Sequence, residues 1–338
     1  MSSNKNEKNY GFQEGLTSEF PSQLIIDITE ICNLECVHCP HVEFKKSSHF
    51  ASRFLEPELN TKMINEVRDF GSEYCKYIRY TSNGEPLIHP KGYSMIKEAV
   101  DNSGTFVCLT TNGTIMKEKK TRQLLDSGIH MIDISIDAYH AKTYSDIRVG
   151  GDLEVTRSNV LRLMEWASKD NYDTKIVVSF VEQPNNTEEV ELFRKYWEEQ
   201  GASFVVIRRM HSAAGAVDSI AEAMHNKINN DERYPCIYPW ERLVLDPKGL
   251  LAFCPADWSY SSPAGDIRTE TIREVWKGEF MNNLREAHLS NNYSCHGFCG
   301  QCPDWSSTRW PHDKGSRRYA NMIDDIKEDT IIDKSEEV

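Results

Sequence analysis

The sequence lacks any apolar run near the ~18–20 residues that a membrane span needs. Residues 1–20 are polar and carry no hydrophobic h-region, so a secretory signal is not expected. Positive charge is also short. Lys plus Arg is 39 against 52 for Asp plus Glu, a net charge of −13. That balance speaks against a broad nucleic-acid-binding face. No repeat of 20–50 residues is visible. With 39% apolar and 27% charged residues, the chain is neither disordered nor fibrous. Its 338 residues predict about two domains.

What is present is cysteine. Ten cysteines in a chain expected to be cytoplasmic point to metal or redox chemistry rather than disulfides. They are clustered. Cys32, Cys36 and Cys39 share an eight-residue window, and Cys295, Cys299 and Cys302 share another. Cys236 and Cys254 lie just upstream of the second group. Cys75 and Cys108 stand alone and read as small core residues.

Strand patterns cover residues 23–29, 77–81, 106–111, 131–136, 175–181 and 203–208, with helical spacing between them. Strand and helix alternating about six times imply parallel strands covered by helices, rolled into a full or partial barrel. Residues 1–20 read as a loosely ordered arm, 21–211 as the barrel and 212–235 as a connector. Residues 236–310 read as a small metal-organised domain, and 311–338 as a tail frayed from about Asp324. Two short strands should flank the turn Asp246-Pro-Lys-Gly249, with one helix over about 271–288.

The first cysteine cluster directly follows the first strand, where a barrel places its chemistry. Three neighbouring thiolates can serve a zinc ion, with His38 or His41 as a fourth ligand. They can equally hold a [4Fe–4S] cluster with one iron open for a small molecule.

The spacing Cys-x3-Cys-x2-Cys resembles the radical S-adenosylmethionine (AdoMet) superfamily, over roughly residues 22–210. Gly84-Glu85-Pro86 stands where that family binds the methionyl amine. Thr111 and Asn112 end the third strand. Ser135 and Asp137 end the fourth, where family members contact ribose. Arg148 matches a position that pairs with the methionine carboxylate. His38 departs from the family, which favours an aromatic residue there to pack by adenine. The resemblance implies a partial (β/α)6 barrel, AdoMet, a first [4Fe–4S] cluster, and an electron donor such as flavodoxin or ferredoxin.

The pattern Cys236-x12-Gly249-x4-Cys254, followed by Cys299-x2-Cys302, resembles the SPASM and twitch extensions of that superfamily. It implies four thiolates around one auxiliary [4Fe–4S] cluster. All-cysteine zinc sites use similar spacings, so structural zinc stays open. Cys295 is then left over, as a replacement ligand, a hydrogen-atom donor or an inert thiol. Asp257 is a candidate general base or a solvated turn carboxylate; Asp304, His296 and His211 are weaker candidates. Arg208 and Arg209 end the sixth strand, and alternation lets only one enter the barrel. Trp240, Trp258, Trp305 and Trp310 are sugar-stacking or core residues.

The expected activity is an oxidoreductase in which a 5′-deoxyadenosyl radical takes hydrogen from a small carbohydrate or aminocyclitol. The short leader before the barrel leaves no room for the winged-helix module of many peptide-modifying relatives. A peptide or protein modifier (epimerase, cyclase or sulfatase-maturing type) is the alternative, and a non-catalytic zinc scaffold the third reading.

Overall fold

The computed structural model describes residues 10–13, 15–228, 233–259, 263–313 and 319–327. Six parallel strands run in sequence order: β1 (Gln23–Ile26), β2 (Tyr77–Tyr80), β3 (Phe106–Thr111), β4 (Met131–Ser135), β5 (Lys175–Glu182) and β6 (Phe204–Arg209). Helices α2 (Pro57–Glu66), α3 (Gly92–Asn102), α4 (Glu118–Asp126), α6 (Leu153–Lys169) and α7 (Val190–Glu199) form the intervening crossovers. The short α1 (His41–Lys46) and α5 (Ala141–Ile147) sit in the loops after β1 and β4. Parallel pairing buries both faces, which is why these strands read as near-continuous apolar runs. One face carries Leu24, Ile78, Leu109, Ile132 and Val178 into the core beneath the helices.

The sheet does not end at β1. Strand β7 (Arg242–Leu245) pairs parallel to it, and β8 (Leu250–Ala252) and β9 (Pro263–Asp266) continue antiparallel. The cysteine-rich segment therefore extends the barrel's own sheet into nine strands, ordered β9-β8-β7-β1-β2-β3-β4-β5-β6. Gly249 makes the β7–β8 turn with φ +86°, a backbone region that disfavours a side chain.

Four local expectations change. The helix anticipated over 271–288 is two, α10 (Ile272–Lys277) and α11 (Glu279–Leu289). Gly278 between them is extended and breaks the run. Beyond the connector helix α8 (Asp218–His225) and α9 (Tyr238–Glu241), the second half of the supposed arm is anchored. Phe20 is fully buried, Trp276 Nε1 donates to Thr17 O at 3.0 Å, and Glu19 pairs with Lys277 at 2.6 Å.

The tail is not frayed from Asp324. Helix α13 (Tyr319–Lys327) packs Ala320, Ile323 and Ile326 against Tyr77, Phe106, Cys108, Met131 and Val177, on the inside of the partial barrel. Lys76 holds Asp324 at 2.7 Å. Residues 328–338 lie outside the described residues. Trp240 and Trp310 take the core role, together with Leu16 and Ile237.

Candidate functional site

The loop after β1 carries Cys32, Cys36 and Cys39. A two-residue ladder pairs Glu35 and Cys36 with Val149 and Arg148, so Arg148 is delivered to the loop by the backbone. Its Nη1 lies 3.7 Å from Cys36 Sγ. Its Nε and Nη2 grip Asp137 Oδ2 at 2.8 and 2.5 Å. Asp137 Oδ1 accepts from the Val181 amide at 2.7 Å. Asp137 is fully buried and held at φ +66°, an uncommon backbone state for a non-glycine residue and one often found at functional sites. Its carboxylate is spent on protein donors rather than left toward the barrel mouth.

Glu85 is likewise committed. It accepts from Thr111 Oγ1 (2.6 Å), the Asn112 amide (2.8 Å) and the Leu87 amide (3.2 Å). It thus ties the end of β2 to the end of β3. Burial raises its pKa, and those three donors oppose the shift. Asn112 reaches toward the triad, with Nδ2 4.0 Å from Cys32 Sγ. Ser135 Oγ lies 3.4 Å from Ser179 Oγ on the inner face. His38 has Nε2 3.6 Å from Asp137 and Nδ1 3.3 Å from Gln183; burial pushes its pKa down to about 4, so it is neutral at pH 7.

Gly84 and Pro86 complete the segment. A Cβ on Gly84 would stand 1.9 Å from the Thr29 carbonyl oxygen and 2.8 Å from that of Ile31. Only glycine lets this loop lie on the end of β1. Gly84→Ala is expected to displace the loop and cost about 3 kcal/mol. A thermal melt should show a midpoint lower by about 5 °C or more, with AdoMet affinity reduced. An unshifted midpoint would mean that the loop is not packed as described.

The three thiols form no disulfide; Cys36 is buried, and Cys32 and Cys39 are half-buried. Burial pushes Cys32 up to about 12 and Cys39 up to about 11, and mutual repulsion among the sulfurs adds to it. Such a donor set needs a cationic centre to ionise. Neither histidine turns toward it. His41 packs against Phe44 and Phe50, and His38 faces Asp137. Three thiols without an imidazole fit a cubane with one open iron better than a four-coordinate zinc.

The second group assembles Cys236, Cys254, Cys299 and Cys302. Burial raises all four thiols. Cys254 is raised further by Cys236, Cys302 and Cys299, and Cys302 by Cys236. Four thiols that repel one another, Cys254 and Cys299 buried and Cys236 and Cys302 half-buried, match the donor chemistry of an Fe–S cluster. Among the described residues, no group of three or more His, Cys, Asp or Glu is arranged for a single metal ion. Cys295 is exposed, on an open cavity of about 290 Å³ that it shares with Cys299 and that Phe253, Phe280, His296 and Phe298 also line.

The two groups share a rim. Asn83, next to Gly84, donates from Nδ2 to Trp258 O at 3.1 Å, and its amide donates to Asp27 Oδ2. Trp258 meets Phe44 of α1 edge-on, with centroids 6.1 Å apart. The Cys254–Trp258 turn thus docks on both segments that flank the first triad. Asp257 in that turn is 2% exposed, so it is not a solvated turn carboxylate. Its charge raises the Cys299 thiol. Asp304 is no free base. It accepts from the Ser212 amide and hydroxyl and from the Ala214 amide, and so fixes the connector loop.

Arg208 enters the barrel and pairs with Asp133 at 2.6 Å, while Arg209 is exposed. Arg79 joins Asp133 at 3.4 Å, and both guanidinium groups lie over the Tyr319 ring, at 4.1 and 5.2 Å. Helix α13 thereby supplies a floor to the barrel interior. Asn83, Asp133, Gln183 and Tyr319 escaped sequence reasoning. Only Asn83 had a local signal, its position beside Gly84.

The sequence profile described as the radical SAM superfamily matches residues 26–196, half of the chain. The chain belongs to this superfamily. A second profile, the SPASM iron–sulfur cluster-binding domain, matches residues 236–303. The protein is a radical SAM enzyme that uses AdoMet with a [4Fe–4S] cluster and carries an auxiliary iron–sulfur cluster in its SPASM region.

A probable GTP 3′,8-cyclase of Methanococcus maripaludis is 29% identical over 140 residues, covering 41% of this chain and 44% of the relative. The GTP 3′,8-cyclase of Alkaliphilus metalliredigens is 34% identical over 131 residues, 38% of each. The chain spans less than half the length of these two relatives. Among solved structures, BtrN in complex with AdoMet and 2-DOIA aligns with TM-score 0.57 and 15% identity, covering 85% of this chain and 94% of BtrN. Streptococcus suis SuiB bound to its precursor peptide SuiA aligns with TM-score 0.63 and 12% identity, over 79% and 67%. These likenesses are of fold. No helix among the described residues is long and apolar enough to cross a membrane.

Proposed function

We propose that this protein is a radical SAM dehydrogenase of a small carbohydrate or aminocyclitol. The observation that carries the reading is the set of four mutually interacting thiols, Cys236, Cys254, Cys299 and Cys302, with Asp257 near Cys299 and Cys295 exposed. An auxiliary cluster with a thiolate on every iron has no site for AdoMet or substrate, which leaves electron transfer as its role. When bound, the AdoMet-dependent cluster supplies a 5′-deoxyadenosyl radical that takes a hydrogen atom from substrate, and the auxiliary cluster receives one electron.

The chain's own residues do the rest. We assign Cys32, Cys36 and Cys39 to the first cluster, and Cys236, Cys254, Cys299 and Cys302 to the second. Arg148 places a fixed positive charge at the first site, within reach of a carboxylate, and Asp137 orients it. The Gly84–Pro86 segment shapes the wall for the methionyl amine, and Glu85 braces it from behind. Asn112, Ser135 and His38 line the neighbouring rim for the nucleoside. Asp257 accepts the substrate proton as the electron leaves, because its turn joins the auxiliary site to the barrel mouth. A flavodoxin or ferredoxin type of donor reduces the first cluster.

Stoichiometry tests this. Dehydrogenation consumes one AdoMet per product, and the oxidised carbon gains no hydrogen from solvent. Product quantified against 5′-deoxyadenosine in D2O should therefore carry no new carbon-bound deuterium. Solvent deuterium at an inverted stereocentre would replace the dehydrogenase with a redox-neutral epimerase, in which a thiol such as Cys295 donates the hydrogen atom.

A further inference from the structure

Arg233 stands three residues before Cys236. Its guanidinium is held from several sides. Nη1 donates to Gly300 O at 2.9 Å and Nη2 to Cys299 O at 2.6 Å. The Tyr293 ring lies 4.1 Å from its centre and the Trp305 ring 5.7 Å. The two carbonyls belong to α12 (Gly297–Gln301), near the end where helical carbonyls lack partners and the helix dipole is negative.

A helix cap alone would account for two hydrogen bonds. The aromatic faces add something else, because they fix a cation in one place at a site rich in thiolates. The guanidinium is thereby fixed against the backbone of Cys299, on the short helix that ends at Cys302. The Asp304 carboxylate, two residues after Cys302, is taken up by three donors from the connector.

An Fe–S cluster on four thiolates gains one negative charge on reduction. Net charge and hydrogen bonding around such clusters set their potentials. A fixed neighbouring cation favours the reduced form. We propose that Arg233 sets the reduction potential of the auxiliary cluster, raising it so that the cluster accepts the substrate's electron. The inference rests on the assignment of Cys236, Cys254, Cys299 and Cys302 to that cluster. One electron enters the cluster and one proton leaves the substrate radical, so the step balances without another oxidant.

The test is an anaerobic redox titration of reconstituted holoenzyme, followed by electron paramagnetic resonance. Arg233→Gln should keep about eight irons per chain. It should move one cluster's reduction equilibrium about tenfold toward the oxidised form, about 59 mV for one electron. The other cluster should stay where it is. Arg233→Lys, which keeps the charge and loses the fork, should shift less than about threefold.

A two-cluster Arg233→Gln protein with an unmoved potential would overturn the inference alone. So would Arg233→Lys falling as far as Arg233→Gln, since the fork and not the charge would then matter. Should Arg233→Gln fail to hold the second cluster, Arg233→Met, which also removes the charge, takes its place with the same tenfold expectation, and an unmoved potential there overturns the inference. Wild-type protein with only about four irons, or a second cluster that survives Cys254→Ala, would fail the ligand assignment first.

Discussion

Cys32→Ala is expected to abolish 5′-deoxyadenosine formation and to lower iron from about eight to about four per chain. Cys32 is one of three thiols on the loop after β1, and neither His38 nor His41 is turned to replace it. Two thiols cannot hold a cubane with a single open iron. Outer-shell partners of metal sites already cost about 10–100-fold when lost, so removal of a ligand should exceed 100-fold.

The fold should survive the change. Cys32 is half-buried on a loop, and the strands beneath it are stabilised by Leu24, Ile26, Ile78 and Leu109. Circular dichroism and a thermal melt of the variant should match those of apo wild type. Chromatography of AdoMet incubated with dithionite gives the decisive number. Residual 5′-deoxyadenosine above about a tenth of wild type would remove Cys32 from the ligand set, since a loss under about tenfold falls short even of the outer-shell range.

The barrel was legible because parallel strands buried on both faces leave continuous apolar runs, as in Phe106–Thr111 and Lys175–Glu182. The two cysteine groups were legible because ligands to one cluster must be close in space and here sit on short loops and one hairpin. In the structure Cys254 interacts with Cys236, Cys302 and Cys299, while Cys295 is exposed on a cavity that Cys299 also lines.

What pattern did not reveal was long-range. Nothing in Arg242–Leu245 announces that it pairs with Gln23–Ile26, some 220 residues away. Nor does an acidic C-terminal stretch announce that Tyr319 and Ile323 fill the inside of the barrel. Glu85, Asp137 and Asp304 each looked available to a ligand, and each is occupied by protein donors. A buried carboxylate is costly unless satisfied, so the fold takes up those oxygens first.

The second large effect separates the two clusters. Cys254→Ala should leave AdoMet cleavage within about threefold of wild type while lowering product more than about 100-fold. Cys254 follows β8 in the hairpin that extends the sheet, and its nearest sulfurs are Cys236, Cys302 and Cys299. Three remaining thiols leave the auxiliary site incomplete. The substitution leaves Cys32, Cys36 and Cys39 in place, so radical formation keeps its ligands.

The substrate radical then has no acceptor for its electron. It can only recover a hydrogen atom, and 5′-deoxyadenosine accumulates without product. The control is AdoMet cleavage without substrate, because β7 pairs with β1 and a collapsed hairpin would disturb both sites together. If cleavage falls in parallel with product, the auxiliary site acts through the sheet. If product survives at wild-type yield, the electron leaves by another route and the dehydrogenase reading fails. A loss of product alone means that a cluster held by Cys236, Cys254, Cys299 and Cys302 would take the electron left on the substrate once the radical formed at the first site has removed its hydrogen atom.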